Sequence, residues 1–292
     1  MPSTRDIRRR IRSVTNTAKI TKAMQMVASA KMRKAQQAAL AGRPYASLFN
    51  KLLAHAAGGA GDFSHPLMER REVRKRAVIL ITTDKGLCGA LNTNLLREAA
   101  KFDRDTTLFL CAGKKGAQWA GRARRQIAAE FTCKDSPQFP EARAISKFAQ
   151  EMFVKGEVDE VVVLYTNFVS MLTQRPETHT LLPLQGLTGV QETFLGERKT
   201  VELEAGAHEY LFEPSAEAVL SELLPRALNF EVYQFLLEAK ASEHSSRMIA
   251  MKNATDNAKQ LVKGLTLEYN KLRQANITKE LLEITTAQMA MG

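Results

Sequence analysis

The sequence predicts an α/β protein in three parts: a long antiparallel coiled coil made by N- and C-terminal helices, over residues 1–57 and 215–292, and a central Rossmann-like α/β domain over residues 70–210. Three observations predict it. From Arg226 to Met291 there is no proline and only one glycine, Gly264, among residues that mostly favour helix. At ~1.5 Å per residue that stretch makes a rod on the order of 100 Å long, which needs a partner along its length. The chain opens on a second uninterrupted helical stretch, and between the two, short β-branched runs alternate with helix-like segments.

Taken in order, Ser3 and Asp6 form a capping-box start with an acidic residue in place of the usual Glu, and neither Gly nor Pro follows until Gly42 and Pro44. Within this first helix Ile7, Ile11, Val14, Ala18, Thr21, Gln25, Ala28, Met32, Ala35 and Ala39 recur at strict 4,3 spacing, the signature of a coiled-coil seam. The small residues on the seam imply close approach of a second helix. Gly58, Gly59 and Gly61 mark a linker. Residues 77–82, AVILIT, then read as a strand, 91–102 as a helix, 107–111 as a strand, 114–121 as a short helix, 142–155 as a helix and 158–165 as a strand. Such alternation argues for a partly parallel sheet covered by helices. Residues 178–183 and 201–203 carry weaker strand signals.

Pro214 and Ser215 introduce the closing helix, with Pro225 placed for a kink or short break near its start. Along it Leu228, Val232, Phe235, Ala239, Ser242, Ser246 and Ile249 again follow 4,3 spacing. Further on the stripe shifts to Ala254, Ala258, Leu261, Leu265, Leu272 and Ala275. Polar residues at Ser242, Ser246 and Asn253 interrupt it, so a helix pair whose facing side drifts fits better than one uniform coiled coil.

With 292 residues, 45% of them hydrophobic, the chain has material for a real core. No apolar run approaches the ~20 residues of a membrane span, and the start lacks the apolar core of a secretion signal. The net charge of +11 is unevenly spread. Residues 1–43 carry eleven Lys or Arg against Asp6 alone, residues 215–292 carry nine of each sign, and the middle holds +1. The first segment therefore calls for an acidic partner. It has no aromatic residue before Tyr45, so base stacking on nucleic acid is unsupported, while phosphate contact alone stays open.

Cys88, Cys111 and Cys133 are odd in number and widely spaced, which suggests reduced, buried thiols in a cytoplasmic protein rather than a disulfide framework or a zinc site. The five histidines have neither metal-ligand nor triad spacing. Gly86 and Gly89 follow a predicted strand, as phosphate-binding loops do, but the third glycine of the dinucleotide fingerprint and the GK[ST] ending of a P-loop are missing there and at Gly113–Gly116. A structural turn is the better reading. No carboxylate pair or nucleophile elbow is present, so neither a catalytic group nor a cofactor is expected.

Four segments carry a resemblance: KITKAMQMVASAKMRKAQ at 19–36, DKGLCGALN at 84–92, SEHSSRMIAMKNATDNA at 242–258 and YNKLRQANITKELLEI at 269–284. Together they resemble the F-type ATP synthase gamma subunit family of the bacterial type, in order and across almost the whole chain. The resemblance implies a noncatalytic rotor shaft inside a hexamer of alpha and beta subunits, with an epsilon subunit and the membrane c-ring as further partners, no nucleic acid, and membrane contact only through the complex. It implies a peripheral location on the cytoplasmic side of a bacterial inner membrane, which the absence of a transit peptide favours.

Residue by residue, the resemblance implies that Lys22, Ala23 and Met24 face acidic lever loops of beta, and that Arg247, Arg273, Gln274, Thr278 and Glu280 take part in beta contact and coupling. Residues 277–291 resemble a tip held in an apolar sleeve. Where the family often has Gly-Ala near the end, this chain has Ala287 and Gln288, and it lacks the closely spaced regulatory cysteine pair of the chloroplast form. Two other readings compete. A nucleotide-dependent enzyme would bind nucleotide tightly through residues 70–210, and a nucleic-acid clamp would bind with steep salt dependence.

Overall fold

The computed structural model describes residues 3–42, 64–184 and 215–291, together with 44, 45, 48, 49, 52, 192–194, 197–199 and 213. The glycine linker and residues 201–203 lie outside the described residues. The chain divides into two compact units, one formed by residues 1–28 with 248–292 and the other by residues 29–247. Helix α1 (Thr4–Ala41) and helix α5 (Ala216–Met291) each contribute to both.

In the first unit α1 and α5 run antiparallel. The Thr21 and Thr255 hydroxyls are 2.7 Å apart, and Arg8 donates to the Tyr269 hydroxyl at 3.0 Å while its guanidinium lies over that ring. The helix starts on its capping box: Ser3 Oγ accepts from Asp6 N at 3.2 Å and donates to Asp6 Oδ2 at 2.7 Å. That bond from Ser3 holds the Asp6 carboxyl below its ordinary range. Every α1 seam residue named above is buried or half-buried, across both units.

The facing seam on α5 differs from expectation. Met251, Thr255, Ala258 and Leu265 are buried, with Val262, Tyr269 and Leu272 half-buried between and beyond them, whereas Leu261 and Ala275 are exposed. The observed spacing is still 4,3, but it includes a threonine that the apolar pattern passes over, because its hydroxyl is satisfied by Thr21 and by Met251 O. The antiparallel register also explains where the pairing ends. Tyr269 sits opposite Arg8, so beyond about residue 272 α1 has nothing left to offer, and every residue from 273 to 289 is exposed.

The second unit is built on a five-stranded sheet in the order β3-β2-β1-β4-β5. Strands β1 (Arg76–Ile81), β2 (Thr107–Ala112), β3 (Gln126–Phe131) and β4 (Glu160–Phe168) are parallel, and β5 (Gln174–Leu182) closes one edge antiparallel to β4. A separate pair, β6 (Glu192–Phe194) and β7 (Glu197–Lys199), is antiparallel. Residues alternate across the central strands as the period of two requires. Ala77, Ile79 and Ile81 pack with helix α4 (Phe139–Val154) and with Leu228, Val232, Phe235 and Leu236 of α5. Val78 and Leu80 face helices α2 (Leu91–Ala99) and α3 (Lys114–Arg122).

Strand β3 is absent from the sequence reading. Its residues QIAAEF lack the β-branched run of β1 and β4, and as an edge strand it is largely exposed. Pro225 lies inside α5, which continues as helix on both sides of it. Among the described residues no helix is long and apolar enough to cross a membrane.

Candidate functional site

The residues proposed for partner contact fall in three places. Lys22 and Ala23 are exposed and Met24 half-buried on α1, with Lys22 Nζ donating to Gln25 Oε1 at 3.3 Å. Beside them Ile20, Met26 and Val27 hold more than half of their surface in solvent, on the side of α1 turned away from its seam. Of the ten described Lys and Arg residues of α1, only Lys31 is not exposed, and it pairs with Asp135 at 2.6 Å in the second unit. That bond from Lys31 lowers the Asp135 pKa.

Arg273, Gln274, Thr278 and Glu280 stand on the unpaired end of α5, all exposed. Gln274 and Thr278, four residues apart, share one face, and Arg273 and Glu280, seven apart, share another. Ile277, Leu281, Leu282, Ile284 and Met289 are exposed on the same stretch. Among the described residues nothing packs against this stretch, and contiguous exposed apolar surface of this kind is characteristic of contact sites.

Arg247 is in a different setting, in the second unit. Its guanidinium donates to Gly86 O at 3.2 Å and Lys85 O at 3.2 Å, in the loop after β1, and to Glu243 Oε1 at 2.8 Å. Glu243 also accepts from Lys240 Nζ at 2.9 Å, and all three side chains are close to fully buried. Burial alone raises a carboxyl, but here the attraction of Lys240 and Arg247 outweighs it and holds Glu243 below its ordinary value. His244 is buried beside them, with Nδ1 3.3 Å from Arg247 and, among the described residues, no partner for Nε2. Burial lowers its pKa, keeping it neutral.

The sequence reading missed this cluster, since Lys240, Glu243 and Arg247 at spacings of three and four look like ordinary solvated helix pairs. A usable signal was present in the hydroxyls. Ser242, Ser245 and Ser246 fall within about 100° of helix arc at 3.6 residues per turn, and each donates to a carbonyl of the sheet's strands or loops.

The glycine turns are structural in geometry. Gly89 has φ +58° and Gly113 φ +115°, and a Cβ on Gly113 would come within 2.3 Å of Thr82 O. At the start of α3, Lys114 N donates to Asp84 Oδ1, Lys115 N to Thr83 O and Gly116 N to Thr82 Oγ1. The amides that would cradle a phosphate are thus spent on the chain's own groups. All three cysteines are free and buried. Burial pushes Cys111 up to about 12, Cys133 up to about 11, and Cys88 upward as well. Among the described residues no group of His, Cys, Asp and Glu could hold a metal ion.

Residues 3–291 match the ATP synthase family. The ATP synthase gamma chain of Methylacidiphilum infernorum is 47% identical over 297 residues, with 100% of both chains covered. That of Opitutus terrae is 48% identical over 295 residues, with 99% of each covered. Among solved structures, a chain from the central stalk and c-ring of the Tetrahymena thermophila mitochondrial ATP synthase superposes with a TM-score of 0.60 at 27% identity, covering 80% of this chain and 99% of that one.

Proposed function

The chain belongs to the ATP synthase gamma-chain family, and from that premise we propose that it is the central rotor shaft of a proton-translocating ATP synthase, without catalytic groups of its own. Rotation of a membrane c-ring turns the shaft, and the shaft turns inside a hexamer of alpha and beta subunits, with the epsilon subunit as a further neighbour. Each orientation favours a different conformation of the beta subunits, so affinity for nucleotide changes with the angle of the shaft. That is coupling through differential binding to conformational states, and it asks for no chemistry on the shaft.

The observation that carries this reading is the unpaired end of α5. Seventeen consecutive residues stay helical and exposed, with no packing partner among the described residues, as suits a shaft tip enclosed by other subunits. On this reading Lys22, Ala23 and Met24 meet the acidic lever loops of beta, with the exposed basic residues of α1 supplying the attraction. Arg273, Gln274, Thr278 and Glu280 contact beta near the tip, and Arg247 acts in coupling from its seat against the β1 loop. The protein is then peripheral, on the cytoplasmic side of a bacterial inner membrane.

Reconstitution of alpha and beta subunits with and without this chain tests the proposal. The chain is expected to change the rate and the cooperativity of ATP hydrolysis. Unchanged rate and cooperativity in its absence would overturn the rotor reading.

A further inference from the structure

Doubly wound sheets bind their ligands outside the carboxyl ends of the strands, where the strand order reverses. In the unit of residues 29–247 that point lies between β1 and β4, since α2 and α3 cover one face of the sheet and α4 the other. What fills it is a piece of α5. Ser242 Oγ donates to Thr166 O in β4 at 2.9 Å, and Ser245 Oγ donates to Met171 O in the loop after β4 at 2.8 Å. Ser246 Oγ donates to Cys88 O in the loop after β1 at 2.7 Å, beside the Arg247 bonds to Lys85 O and Gly86 O. Ser242 and Ser245 are fully buried.

We propose that α5 occupies the ligand position of its own sheet, and that Ser242, Ser245 and Ser246 are positioning residues that lock the rotation of α5 about its axis to the sheet. The inference rests on the rotor reading, which requires torque to pass between sheet and helix. Apolar packing through Leu228, Val232 and Phe235 holds α5 on the sheet, but it is non-directional and fixes the angle of the helix less sharply than it fixes its seat. Hydrogen bonds are directional, and these three grip both sides of the switch point from one face of the helix. A turn of α5 by one residue's worth of arc breaks all three. The buried Lys240–Glu243–Arg247 chain of charges stiffens the neighbouring face.

The test uses the assembled complex carrying either the natural chain or S242A/S245A/S246A, with S246A alone for the case in which the triple variant does not assemble and S246T as the variant that keeps the hydroxyl. Two quantities are read: hydrogen exchange of the loop amides at 84–89 and 169–173, and ions moved per ATP hydrolysed. Loop protection is expected to fall by about fivefold for S246A and on the order of a hundredfold for the triple variant. Ions moved per ATP should fall in parallel, and S246T should restore both. Unchanged protection and unchanged ions per ATP in the serine-to-alanine chains would overturn the inference alone. Pumping by the natural complex that does not depend on this chain at all would overturn the rotor reading and the inference with it.

Discussion

Helix α5 lives in two environments. Between Ala227 and Ser245 most of its residues are buried, including four charged or titratable ones, Glu238, Lys240, Glu243 and His244. Between residues 273 and 289 none is. The same secondary structure is therefore sustained in two ways. At the first stretch tertiary packing holds the helix and tolerates residues of poor propensity such as Ser and His. At the second only intrinsic propensity and side-chain pairs such as Lys279–Glu283 are available. The lesson is that apolar residues on one helix sit under two different demands: Phe235 stabilises this chain, and Leu282 stands exposed on it.

Three measurements sharpen or break that contrast. The largest effect belongs to Phe235→Ala. The ring is buried and packs on Tyr165 with centroids 4.6 Å apart and on His179 at 5.3 Å. Its loss should destabilise the chain by about 3–5 kcal/mol in denaturant unfolding; a cost near zero would mean that α5 is not seated on the sheet.

Next comes acid. His244 has its pKa depressed by burial, so its neutral form stabilises the fold above its ordinary value of 6.5, and this is lost as pH falls through the depressed value. Glu243 adds a second loss below 4.5, as pH falls through its own lowered value. The charged groups bearing on His244 are Glu243, Arg247, Lys240 and Asp135. Thermal melts should move down progressively on acidification, and His244→Gln should flatten the upper part of that profile while leaving the lower part.

The smallest effect is expected for Leu282→Ala, whose side chain is 61% exposed. Stability of the isolated chain should change by no more than about 0.5 kcal/mol. A loss comparable to that of Phe235→Ala would show that the free end is packed within its own chain after all.

The helices and the order of strand and helix were legible because they rest on periodicity and on the absence of breakers. All ten seam positions of α1 are buried or half-buried, β1 and β4 stand where their β-branched runs are, and β2 stands on the apolar run that follows Thr107. Legibility failed where a polar group does structural work. Thr255 looks unfit for a seam until its hydroxyl meets Thr21. Ser242 and Ser246 look like gaps in a stripe until the carbonyls of Thr166 and Cys88 come over them. Strand β3 failed for the opposite reason, since an exposed edge needs no apolar pattern to announce it. Of the candidate contact residues, the exposure of Lys22, Ala23, Arg273, Gln274, Thr278 and Glu280 agrees with a role at a surface. The seat of Arg247 depends on a loop more than 150 residues away in sequence, which no local pattern encodes.

The threonine pair has one more consequence. A seam of alanines and small side chains is forgiving, and an antiparallel pair of such helices slipped by one heptad, about 10 Å of travel, would still bury most of its apolar surface. Slippage would set Thr255 against Val14 or Ala28 and Thr21 against Met248 or Val262, leaving both hydroxyls without each other, and would part Arg8 from Tyr269. Two weak polar contacts thus act as an index mark on an otherwise sliding scale. They fix how far the free end of α5 projects past the start of α1, and so the depth to which it reaches.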